Sequence, residues 1–191
     1  MKLNGLKISI LIILAVVGFS RCNIFEGGST SNTILIIDSI TDGNGDVPIF
    51  SNVAIWDNTL AEATLITQTI NPDLNLDDTT LYYTVIVDQI DVEYSRSSGL
   101  DQEGRDIPFG FSQQVHLRLS LAEQAALPFT IIQQVAKVEP PLVDLLDFGE
   151  EHVLKLEARV TFHGTDLGGH RLEPVTASVS IWCANFGAIE E

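Results

Sequence analysis

The residue types able to do chemistry are few in this 191-residue chain: four histidines, at 116, 152, 163 and 170, and two cysteines, at 22 and 183. His163, Asp166 and His170 flank one turn, "HGTDLGGH". At that spacing two imidazoles and a carboxylate on the arms of a hairpin could approach a zinc or copper ion. A closed metal site takes four ligands and a catalytic one three plus water. The set falls short of the first and barely meets the second. Histidines facing solvent are the simpler reading, and no metal centre is assigned. "DGNGD" spaces Asp42, Asn44 and Asp46 like the opening ligands of a calcium loop, but Val47 and Val53 stand where that loop needs glycine and glutamate. Turn chemistry accounts for this segment and for Asp73, Asp77 and Asp78.

Nucleophilic catalysis finds no support. The chain has no G-x-S-x-G, P-loop, dinucleotide fingerprint or C-x-x-C. In "VTASVSIWCANF", Val175, Ala177, Val179, Ile181 and Cys183 alternate with Thr176, Ser178, Ser180 and Trp182. Strand side chains point alternately to opposite faces, so Cys183 faces inward as a small core residue, away from any base. The expectation is a non-enzyme without a cofactor.

Cys22 has a different context. Lys2 and Lys7 precede an apolar run over residues 8–19, with Ser9 its one polar side chain. That run fits the core of an export signal and falls short of the roughly 20 residues of a spanning helix. Residues 1–21 are read as a signal peptide, with Cys22 as the lipidation site of a bacterial lipoprotein. Arg21 departs from the small residue such sites carry before the cysteine. Cleavage after Ser20, with Gly18 at −3, is the second route, an uncleaved anchor the third, and a Cys22–Cys183 disulfide belongs to an oxidising compartment. Residues 22–32, rich in Gly, Ser, Thr and Asn, suit a flexible tether. Asn23 in second place leans towards the outer membrane by resemblance to bacterial sorting signals. A soluble periplasmic or secreted domain is the alternative address.

Charge narrows the partners. The chain holds 10 Lys+Arg against 26 Asp+Glu, and Lys2, Lys7 and Arg21 all lie in the leader. An acidic domain does not neutralise phosphates, which excludes nucleic acid, nor dock on anionic lipid by charge. The lipid bilayer is therefore a partner through the acyl anchor alone. Solubility is the direct consequence of the acid excess.

These residues are positioned by strands. "TILIIDSI", "IFSNVAIW", "EATLITQTI" and "TLYYTVIVDQIDVEY" come first, and then "QVHLRLSL", where Val115, Leu117, Leu119 and Leu121 share a face. "VLKLEARVTFH" turns Leu154, Leu156, Ala158, Val160 and Phe162 inward, and residues 175–186 end the series. Short alternating runs bounded by turn signals predict an all-β, antiparallel sandwich of about eight strands in one domain, residues 33–188. One short helix or irregular crossover is expected near 130–146. There Ile131, Ile132, Val135 and Val138 keep helical spacing until Pro140-Pro141 stops them.

"VEYSRSSGLDQEGRDIPFGF" and "ARVTFHGTDLGGHRLEPVTASVSIWCANFG" resemble segments of uncharacterised bacterial secreted proteins and lipoproteins with an immunoglobulin-like, fibronectin-like sandwich. The resemblance covers about the C-terminal two-thirds of the chain. It implies that fold and an exported address, and it implies no activity.

Two features remain as candidate contacts for an unknown envelope protein or ligand. The long loop carries Arg96, Asp101, Glu103, Arg105, Asp106 and Phe109. Its charges serve either recognition or internal ion pairing that pins the loop. Trp182 alternates outward, where it either lies under the "EPPLVDLL" crossover or forms part of a partner surface. The expected function is a lipid-anchored, non-catalytic binding or structural module of the cell envelope. The alternatives are an extracytoplasmic hydrolase with a dispersed site and a subunit of an envelope assembly.

Overall fold

The computed structural model describes residues 31–70 and 83–187. Cys22, the leader, most of the tether, and Asp73, Asp77 and Asp78 lie outside them. The strands are β1 (Thr33–Thr41), β2 (Ile49–Asn52), β3 (Thr59–Thr69), β4 (Val85–Ser95), β5 (Phe111–Leu119), β6 (Gln124–Ile132), β7 (Leu154–Asp166) and β8 (Val175–Ala184). They form a three-stranded sheet, β1-β3-β6, and a five-stranded sheet, β2-β8-β7-β4-β5. The chain is an all-β sandwich, as the alternation predicts. Pairing is antiparallel except for the short edge strand β2, which runs parallel to β8.

Alternation becomes burial directly. In β7, Leu154, Leu156, Ala158, Val160 and Phe162 are buried, and Lys155, Glu157 and Arg159 are exposed. Leu35, Ala63, Leu65, Leu127 and Phe129 of the smaller sheet join them in one core. Phe129 meets Phe162 edge-on across the sheets at 5.9 Å. The buried Tyr94 hydroxyl donates to the Ile131 carbonyl at 2.6 Å, satisfying a polar group that burial would otherwise penalise. Gly164 is where β4 and β7 come too close for a side chain, since a Cβ there would strike the Ile86 carbonyl.

The crossover takes the irregular form of the two expected. Ile131 and Ile132 are fully buried and end strand β6. Only after them do two short 3₁₀ turns form, Gln134–Val138 and Val143–Asp147, with Val135 and Val138 exposed. Strand β6 is masked in the sequence by Pro128, which cannot donate to a ladder. It is tolerated because β6 is an edge strand whose neighbour lies on one side alone. The segment "IFSNVAIW" likewise stops being a strand at Asn52. Its side chain accepts the Ala54 N–H at 3.0 Å and turns the chain out of the sheet.

The two ends of the sandwich are distinct. Ser31 donates its backbone N–H to the Arg171 carbonyl, beside the β7–β8 turn. From there β1 runs nine residues, roughly 30 Å at strand rise, to Asp42 at the far end. That end also holds the β2–β3 turn, the first 3₁₀ turn, the end of β8 and the loop between β4 and β5.

Candidate functional site

The far end contains an apolar groove of about 600 Å³, lined among others by Ile49, Phe50, Ile55, Leu60 and Phe186, with Asp42, Asp57 and Lys137 as its ionisable members. Phe50, Ile55 and Leu60 remain exposed, as does Trp56, next to Ile55 in the chain, at 61%. Side chains of this size seldom gather at a surface without a partner.

Lys137 closes the groove's inner wall. It is 3% exposed, and its ammonium donates to the carbonyls of Asn52 at 3.0 Å and Ile55 at 3.1 Å. Burial lowers its pKa, and the negative field of Asp57 works against that shift. An amine acting as a nucleophile must face a substrate with a free lone pair. This one is turned into backbone oxygens, and its work is to fasten the turn after β2. Nearby, Cys183 is fully buried and its thiol is pushed up to about 12 by that burial, so it stays protonated and inert.

The histidines do not converge. His163 Nε2 lies 2.7 Å from Asp91 Oδ2, a partner on β4, and Gln89 donates to the other Asp91 oxygen at 2.7 Å. His170 Nδ1 lies 3.0 Å from Asp166 Oδ2, and its backbone N–H donates to Oδ1 at 2.9 Å. Burial pushes the Asp166 pKa up, but hydrogen bonds from the His170 backbone and ring and from Ser31 outweigh it and hold it below the usual value. Asp91 is likewise lowered by bonds from Ser112, Gln89 and His163 that overcome desolvation. His152 packs on Phe148 at 4.5 Å, and His116 is exposed on β5. Among the described residues no three His, Cys, Asp or Glu side chains gather as a metal site. Asp42 instead accepts the N–H groups of Asn44 and Asp46, which is turn chemistry.

The loop of residues 96–110 is held by its own polar groups. Asp101 accepts the Arg96 N–H at 2.7 Å, and Arg105 pairs with Asp106 at 3.0 Å. Glu103 accepts the Gly110 N–H, and the Phe109 ring lies against Gly104. Trp182 is half-buried between Phe50, edge-on at 5.7 Å, and Lys155, whose ammonium sits 4.4 Å over its ring. Phe50 also meets Phe186, so Trp182 is continuous with the groove's aromatic rim. Phe109 and Trp182 therefore share the far end with the groove, whereas Lys137, Trp56 and Leu60 carry no sequence signal for it. A lysine is almost never buried, and only the fold shows that this one is.

No family model matches the sequence, and no curated protein does. Among solved structures the chain is similar to Spo0M, the sporulation control protein from Bacillus subtilis, at 12% identity and a TM-score of 0.30. The match covers 81% of this chain and 49% of that one, so the chain spans about half the length of that protein. At that distance the likeness says nothing about activity.

Proposed function

We propose that this chain is an exported, lipid-anchored, non-catalytic binding module of the bacterial cell envelope, which presents the far end of its sandwich to a partner. One observation carries the reading. The groove lined by Phe50, Ile55 and Leu60, with the exposed Trp56 next to Ile55 in the chain, lies at the end opposite to Ser31, where the chain leaves the leader side. A domain tethered through Cys22 would hold that groove away from the bilayer. The basic n-region, the short apolar run and the polar tether support the anchor. The resemblance to secreted lipoproteins with such sandwiches supports the same address.

Binding of an apolar fluorescent dye to the full chain tests the groove. One saturable site is expected, lost in Leu60→Glu and kept in Leu100→Glu, which alters another exposed leucine, in the β4–β5 loop. Equal binding by both variants, or none by the wild type, would overturn the reading.

A further inference from the structure

We infer that the groove takes a polypeptide segment that inserts apolar side chains and sets a Lys or Arg beside Asp57; the inference rests on the groove being a binding surface. Two observations select this occupant.

The first is extent. Beyond the exposed lining side chains of Phe50 and Leu60, Trp56 stands in the chain between the lining residues Ile55 and Asp57 and is 61% exposed. A small molecule seated in about 600 Å³ would leave Trp56 in water. A chain segment lying along the groove covers both cavity and rim, with Trp56 the kind of large aromatic on which interfaces concentrate their energy.

The second is charge. Of the ionisable residues lining the groove, Lys137 is buried and committed to the Asn52 and Ile55 carbonyls. Asp42 is committed to the Asn44 and Asp46 N–H groups. Asp57 is exposed on the same wall. Two carboxylates thus stand against one ammonium on the lining, so an incoming cation is favoured at the exposed Asp57, and an incoming anion is opposed by that excess and by a chain with 26 acidic residues against 10 basic ones. The same excess opposes a second copy of this chain as occupant.

The test is fluorescence polarisation of labelled peptides that share an apolar core and carry Lys, Gln or Glu at a scanned position. They are titrated into the full chain and into Asp57→Asn, an exposed position whose change leaves the core intact. Lys peptides should bind about tenfold more tightly than Glu peptides, the step of one favourable charge contact. Asp57→Asn should remove most of that preference, and Leu60→Glu should remove binding. Peptide binding without a preference for Lys, or with a preference that survives Asp57→Asn, overturns this inference and leaves the binding module standing. No peptide binding, in a chain that still binds the apolar dye, also overturns it, since the groove would then take small molecules alone. Failure of both peptide and dye overturns the inference and the binding module together.

Discussion

The ammonium of Lys137 donates to the carbonyl of Asn52 at 3.0 Å, on the side of that peptide unit opposite to its N–H. The N–H belongs to Val53 and is taken by Ala184 of β8, also at 3.0 Å. One peptide unit is thus held from both sides, and the lysine caps the free edge of β2. Edge strands are open to unwanted pairing, and a charge placed on the edge is one way to close it. The same contact shapes the groove, because Ile55 and Trp56 follow from the turn it fastens.

Lys137→Met should therefore destabilise the fold by about 1–3 kcal/mol, the cost of leaving backbone acceptors without their donor. The figure stays modest because both of these bonds are only partly buried. A lower urea midpoint, with faster amide exchange confined to residues 53–58, would show it.

Asp166 gives a pH dependence with a defined sign. Its folded pKa lies below that of an ordinary aspartate, so the native state binds fewer protons than the unfolded chain in that acidic range. The stability it contributes is present above the unfolded pKa and is lost as pH falls through the lower folded one. Asp166→Asn should cost about 1.5–3 kcal/mol at neutral pH, the range for hydrogen bonds to a charged group. It should also flatten the loss of stability below pH 4, read by urea titration at several acidic pH values.

Gly164→Ala should destabilise by about 1–3 kcal/mol, because the obstacle is the Ile86 carbonyl of the neighbouring strand and backbone cannot swing aside. The thermal midpoint checks this, and Gly149→Ala, with open space around its Cβ position, is the control.

The loop of residues 96–110 offers a contrast with the groove. Arg105→Ala and Phe109→Ala should leave apolar-dye affinity within about twofold, the behaviour of energetically neutral positions. A larger change in the same titration would move the binding surface towards that loop.

Period-two alternation made most of the sandwich legible, since residues such as Leu156, Val160 and Ile181 needed only the direction of a strand side chain to be placed in the core. Strand β6 was not legible, because Pro128 and two alanines weaken its strand character and its edge position is a tertiary fact. The site was harder still. Trp182 and Phe109 stand out in the sequence, whereas Lys137 is distinguished only by carbonyls 85 and 82 residues away. The hairpin histidines show the converse. Spacing brings His163, Asp166 and His170 near one turn, but cross-strand pairing gives His163 to Asp91 instead.

The lipid anchor is tested by the intact mass of the protein expressed with its own leader, beside a Cys22→Ala variant. A lipid-anchored protein gives a chain beginning at Cys22 with acyl chains added, and that species is lost in the variant. A chain beginning at Arg21 without lipid, or one that keeps residues 1–21, would contradict the anchor.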